Sequence, residues 1–365
     1  MAVSKFRAIL ETGVKARASD WHIREGATVC LRVDAQLVEI TDFVTTREFL
    51  MEAVKDITSP FQRDNYEKTG DADFAHFEDG VGRFRVNLHR QRGLMSLTLR
   101  HVKDKVPDIN KLGLPDVVLR IAEAQRGIIL VTGTTGSGKS TTMACMLEYM
   151  NQTMARHIIT IEDPIEYVFT DHNCIFEQRE VGLDAITFQS ALTHALRQDP
   201  DVITVGEMRT RESFDTAVHA ADTGHLVMTT LHTTNAPQTV QRILDFYPHE
   251  EREEVRKTMA NNLSAILCQR LMPRAIGKGV IPGMEILINT PVVRKLLWEG
   301  RLDKLSAAIE ASTAEGMMSF NQCLLKLVNE GLITEEVALE RASNPDALRM
   351  NLKGIFLGSE GGIIG

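Results

Sequence analysis

The stretch GTTGSGKSTT, residues 133–142, follows the apolar run Gly127–Thr132 and sets Gly133, Gly138, Lys139 and Ser140 at the spacing G-x-x-x-x-G-K-S. Glycines so placed let backbone N–H groups turn inward around phosphate oxygens, and a helix starting at the loop adds its positive end. Lys139 would reach the β- and γ-phosphates and the Ser140 hydroxyl would hold Mg²⁺. Thr134, Thr135, Gly136, Ser137 and Thr141 complete the cradle. The chemistry is that of an ATP site. What the phosphate is for, whether a transferred group, a signal or fuel for movement, needs other residues.

Three further stretches carry such residues. The segment IEDPIE puts Glu162, Asp163 and Glu166 within five positions, beside a proline. Carboxylates this close repel unless a cation or proton is shared, and a Mg²⁺-nucleotide supplies the cation. One near the γ-phosphate would orient or deprotonate water. In DVITVGEMR the usual strand-terminal aspartate position holds Gly206, which leaves Glu207 as the metal carboxylate. A lone glutamate there is more often simply solvated. In TGHLVMTTLHTT, His232 stands at the carboxyl end of the apolar run and would face the nucleotide, whereas His225, at its start, would stabilise a loop.

These groups need a scaffold that brings them together. Short apolar runs at Ile128–Thr132, Ile158–Ile161, Val202–Val205 and Leu226–Thr230 alternate with helical patterns such as FQSALTHALRQ and TRESFDTAVHAA. Alternation of this kind predicts an α/β fold, a mostly parallel sheet covered on both faces. Ligands gather outside the carboxyl ends of such strands, where this sequence keeps the phosphate loop, the acidic cluster, Glu207 and His232. Residues 1–104 differ in texture and read as a smaller α+β domain. There, RFRVNLH alternates strictly: Phe84, Val86 and Leu88 face one way, and Arg83, Arg85, Asn87 and His89 the other. Across the RQRG turn, Met95, Leu97 and Leu99 repeat the apolar face and Arg100 joins the polar one. That face is either a solvated basic stripe or, through Arg85 and Arg100, a source of guanidinium groups for nucleotide phosphates.

A linker with two prolines and a glycine, Val106–Arg120, separates the domains as a natural hinge. The expected divisions are 105–125 for linker and connecting helix, 126–280 for the ATPase core, 281–352 for a helical C-terminal region and 353–365 for a glycine-rich flexible tail. Beyond Thr239 the pattern reads helical, with Leu263, Ile266, Leu267 and Leu271 on one buried face.

Bulk properties exclude several classes. With 41 basic and 49 acidic residues the net charge is −8, which disfavours a bulk electrostatic hold on nucleic acid. No apolar run is long enough to span a bilayer, and the N-terminal stretch has no secretory signature. The five cysteines are scattered without a CxxC pair, as in a reduced, cytosolic chain.

With GTTGSGKSTT, TIEDPIEY, DPDVITVGEMR and TGHLVMTTLHTT in this order, the chain resembles the secretion-ATPase superfamily, and within it the type IV pilus retraction ATPases PilT and PilU. The likeness runs from ASDWHI at Ala18–Ile23 to about residue 350. It implies a RecA-like P-loop core behind a PAS-like N-terminal domain, assembled as a cytosolic homohexameric ring peripheral at the inner membrane. Such a ring would hydrolyse ATP to depolymerise pili through an inner-membrane platform protein, with a paralogous retraction ATPase as a further partner.

Carried over by residue, the resemblance makes Lys139 and Ser140 Walker A residues and Glu162, Asp163 and Glu166 the Asp box, with Glu166 placed to activate water. Glu207 becomes the Walker B glutamate, and His225 and His232 the His box. Arg242 matches a motor-domain arginine, and Arg85 and Arg100 match two N-terminal arginines proposed to meet the nucleotide. The sequence departs from the family in places. Thr134 stands where a proline is common, VRKLLWEG after Val292 matches the AIRNLIRE motif in part, and EGMMSFNQ and SNPDALR look more like PilU. Primary motor and accessory partner both stay open. Export and assembly relatives carry a long N-terminal extension and a cysteine zinc site after the His box. This sequence opens on the short domain and has only Cys268 there, which favours the retraction branch.

A nucleotide-gated structural subunit would be favoured by loss of Lys139, Glu166 or Glu207, all of which are present. A small-molecule phosphotransferase would need an acceptor pocket or lid, for which the sequence makes no case.

Overall fold

The computed structural model describes residues 2–33, 36–102 and 105–355. The expected flexible tail falls almost entirely on 356–365, outside the described residues. By its internal contacts the chain divides into two compact units. The first comprises Met1–Lys105 together with Glu162–Val168 and Arg179–Thr187, and the second comprises the remainder.

The first unit is built on an antiparallel sheet of β1 (Asp20–Arg24), β2 (Thr28–Val33), β3 (Gln36–Val44), β4 (Asp71–Glu78), β5 (Gly82–Gln91) and β6 (Leu94–His101), in the order β3-β2-β1-β6-β5-β4. One face is apolar because side chains alternate along each strand. Trp21, Ile23, Leu31, Phe84, Val86, Leu88, Leu97 and Leu99 are fully buried there, and the Trp21 indole donates to the Ile9 carbonyl at 3.1 Å. The turn between β5 and β6 holds Arg92 and Gly93 at φ 54° and 79°. Positive φ at both central residues matches the twist of a two-residue hairpin. That turn sets the register: Arg85 lies directly opposite Arg100, both on the outward face.

The second sheet consists of β7 (Gly127–Thr132), β8 (His157–Glu162), β9 (Ile175–Glu180), β10 (Val202–Val205), β11 (Leu226–Leu231), β12 (Leu263–Pro273) and β13 (Val280–Ile288) in the order β13-β12-β7-β11-β10-β8-β9; it belongs to the second unit except for the strand-end residues Glu162, Arg179 and Glu180, which fall in the first. The four expected strands are β7, β8, β10 and β11, and they pair in parallel as β7-β11-β10-β8. Every residue of β7, β10 and β11 is buried, as befits strands covered on both faces.

The helix expected over Leu263–Leu271 is instead β12, which runs parallel to β7 and antiparallel to β13. The helical C-terminal region likewise starts only at Pro291, because Val280–Ile288 is strand. A strand buried on both faces shows a near-continuous apolar run, which over a short window fits helical spacing equally well. Pairing with β7 decides the matter, and that is a non-local fact.

Candidate nucleotide site

The phosphate loop joins β7 to the helix Lys139–Thr153 at the carboxyl edge of the parallel sheet. Gly138 caps that helix at φ 88°, a left-handed conformation that costs glycine little. Its neighbour across the loop is Gln269 of β12, 2% exposed. A Cβ on Gly138 would stand 2.7 Å from the Gln269 amide nitrogen, and one on Gly133 would strike the Gln269 carbonyl. Gln269 also ties the loop down: its amide donates to the Ser137 carbonyl at 2.8 Å and accepts the Thr142 hydroxyl at 2.7 Å. Sequence reasoning missed Gln269; the one available signal was an amide inside an otherwise apolar run.

Lys139 is 8% exposed, and its ammonium donates to the carbonyls of Gly133 and Thr134 at 2.8 and 3.1 Å. The cation therefore sits inside the loop. The buried Ser137 hydroxyl makes no hydrogen bond among the described residues. Both observations fit a phosphate, which would accept from each.

Glu207 follows β10 and His232 follows β11, at the same sheet edge. Backbone and hydroxyl contacts lock these neighbouring strand ends: the Thr230 hydroxyl donates to the Gly206 carbonyl at 2.7 Å, and the Met208 N–H to the Thr230 carbonyl at 3.1 Å. The result places a Glu207 oxygen 3.3 Å from His232 Nε2, and the other 2.7 Å from the Arg209 guanidinium. Burial pushes the Glu207 carboxyl up. The Arg209 hydrogen bond and charge, with His232 and Lys139 adding to them, bring it net below the usual carboxylate range. Glu207 is thus held as an anion by Arg209, His232 and, at longer range, the Lys139 charge. His225 instead closes its loop, with Nδ1 2.9 Å from the Ala220 carbonyl and 3.0 Å from the Thr223 hydroxyl.

Glu162 ends β8, and its carboxylate accepts the Glu166 N–H at 3.1 Å. That bond closes the turn across the acidic cluster. The acidic loop packs as part of the first unit, as do Arg85 and Arg100. The Arg100 guanidinium donates to Asp20 at 2.8 Å, and burial of Asp20 is outweighed by Ser19 and Arg100, so its carboxyl falls below the usual range. Arg242 lies on the exposed face of the helix Ala236–Leu244, 5.4 Å over the Phe246 ring. Its assignment to the nucleotide rests on resemblance alone.

A cavity of about 340 Å³ adjoins the loop, lined by Gly133–Ser137, Thr234, Gln269–Leu271 and residues 340–342. Arg270 forms one wall, its guanidinium 4.0 Å over the Phe320 ring. No cluster of three or more His, Cys, Asp or Glu among the described residues would hold a metal by itself.

A parallel sheet with a phosphate loop at its carboxyl edge, a carboxylate and a histidine beside it, and an antiparallel unit ahead of it define a P-loop ATPase of the secretion type. Residues 2–279 match the family model described as Type II/IV secretion system protein. The chain is 39% identical to the type IV pilus ATPase PilU of Pseudomonas aeruginosa, covering 98% of this chain and 92% of that protein. It is 40% identical to PilT, the type IV pilus retraction ATPase of the same organism, over 93% of this chain and 98% of that one. A crystal structure of the pilus retraction motor PilT with bound ADP superposes with a TM-score of 0.86 at 44% identity, over 93% of this chain and 97% of that one. The chain belongs to the Type II/IV secretion system protein family, in its PilT and PilU branch, and is an ATPase.

Proposed function

We propose that this ATPase is a ring-forming motor that powers type IV pilus retraction. The observation that carries the reading is the buried Lys139 cradle set beside the Glu207–His232 pair at one sheet edge. Mg-ATP binds in the loop through Lys139, Ser140 and the backbone of residues 133–141. Glu207 and Ser140 would hold Mg²⁺, which would supply charge to offset that of the phosphates. Glu166 takes the proton of the attacking water, with Glu162 and Asp163 shaping its loop and His232 fixing Glu207. Arg85, Arg100 and Arg242 supply positive charge to the phosphates.

Six copies form the ring, which works in the cytoplasm against an inner-membrane platform protein of the pilus machine. No helix among the described residues is long and apolar enough to cross a membrane. Relatives named for retraction and for twitching support the pilus as the load.

The test has a biochemical and a cellular arm. Lys139→Ala should abolish nucleotide binding, whereas Glu166→Gln should bind ATP and hydrolyse it very slowly, because an amide takes no proton from water. Sedimentation with ATP and Mg²⁺ should give hexamers; monomers alone would sink the motor reading. Deletion in the host should leave pili that do not retract. A defect seen only under load would mark the accessory role.

A further inference from the structure

The acidic loop presents Glu166 in a particular way. Ile165 and Tyr167 on either side are buried, 4% and 5% exposed, while Glu166 between them points outward. Two buried anchors fix the direction of the residue between them, provided that the backbone at the anchors is itself held. At Ile165 it is held by a side chain distant in sequence. The Ile165 N–H donates to Glu180 Oε2 at 3.2 Å, and the same oxygen takes the Arg83 guanidinium at 2.7 Å.

Glu180 is 3% exposed. A buried carboxylate is costly, and an apolar side chain of similar size would hold a mere scaffold as well or better. Glu180 is also fixed from its backbone: its N–H donates to Asp184 Oδ2 at 2.8 Å, its carbonyl accepts the Asp184 N–H at 2.8 Å, and the next N–H, of Val181, donates to the Glu162 carbonyl at 2.8 Å. All of these residues lie in the first unit, with Arg83 on the strand that also carries Arg85. The chain of contacts runs from β5 through Arg83 and Glu180 to the Ile165 amide, one residue from Glu166.

We propose that Glu180 is a positioning residue for Glu166, itself clamped by Arg83, so that the antiparallel unit sets the aim of the carboxylate that activates water. The inference rests on the role given to Glu166 above. An error of about 1 Å in such a group costs on the order of a hundredfold in rate, so the clamp acts on turnover and not on ATP affinity.

Steady-state ATPase assays on assembled rings test it. Glu180→Leu should lower kcat about tenfold or more while KM for ATP stays within about twofold. Arg83→Met should do the same, and Arg83→Lys should recover most of the loss. In Glu166→Gln/Glu180→Leu the second substitution should add nothing to the first, because a misaimed base that is already absent cannot be lost again. If Glu180→Leu does not fold, Glu180→Gln replaces it: the amide keeps an acceptor for Ile165 but drops the charge that holds Arg83, and should cost kcat about threefold at unchanged KM. Wild-type kcat in the Glu180 variant, or losses that multiply in the double variant, would overturn the inference and leave the role of Glu166 standing. Normal turnover in Glu166→Gln alone would remove that role, and the inference with it.

Discussion

Gln269 offers the sharpest test of how the phosphate loop is held. Replacing it with leucine keeps the side-chain size and the β12 backbone but leaves two buried groups without partners, the Ser137 carbonyl and the Thr142 hydroxyl. Each such group costs about 1–3 kcal/mol. The Thr142 hydroxyl has one rescue, turning back to the Gly138 carbonyl a turn earlier, so its share falls at the low end. The better transfer energy of leucine returns about 1 kcal/mol. The net expectation is a loss of about 1–3 kcal/mol, or about 2–12 °C in the melting of a unit of this size. ADP affinity should weaken about tenfold, since the loop loses the contact that fixes the Ser137 peptide. Thr142→Val alone should cost about 1 kcal/mol, and combined with Gln269→Leu it should cost less than the sum, because both partners of one bond are then gone. The measurements are denaturant unfolding and ADP titration of the four proteins in that cycle. Stability within about 0.5 kcal/mol of the parent and unchanged ADP affinity in Gln269→Leu would refute the clamp.

Three other outcomes follow from the same geometry. Gly136→Ala meets nothing within 4 Å and should cost only the left-handed backbone penalty of about 1–2 kcal/mol, whereas Gly133→Ala collides with the Gln269 carbonyl and should leave little folded protein; melting curves compare them. Arg85→Ala and Arg100→Ala should each slow ATP hydrolysis about tenfold without changing the fold, and mixing either with Lys139→Ala subunits should restore activity where the arginines act across a subunit boundary; wild-type rates in both single variants would leave the hairpin as scaffold only. Glu207 has a folded carboxyl pKa below its unfolded value, so its pairing with Arg209 stabilises the fold above the ordinary carboxylate range and is lost as pH falls through the lowered value. The small gap in unfolding midpoint between the parent and Arg209→Ala should therefore close toward low pH, and a gap that widens there would contradict the assignment.

Local chemistry in the sequence carried much of this protein. The glycine and lysine spacing of residues 133–140 admits little but a phosphate cradle, because glycine takes at little cost the left-handed conformations that turn backbone N–H groups inward. Strict alternation in RFRVNLH placed Arg85 on the polar face, since side-chain direction in a strand repeats every second residue. The carboxyl-end rule for parallel sheets put Glu207 and His232 at one edge, and the structure sets them 3.3 Å apart. Other features were decided only by contacts between distant segments. Leu263–Pro273 has an apolar spacing that suits a helix, and became a strand through pairing with β7, more than 130 residues earlier. That same pairing brought Gln269 under the phosphate loop, a placement that no local pattern encodes. The acidic loop follows a strand of the ATPase sheet in sequence, yet packs with the antiparallel unit, because its amide at Ile165 is held by a carboxylate that Arg83 holds in turn. Backbone conformation and side-chain period are short-range properties, readable within a few residues. Which buried donor meets which acceptor depends on how the finished sheets bring distant segments together, and that is a property of the folded chain alone.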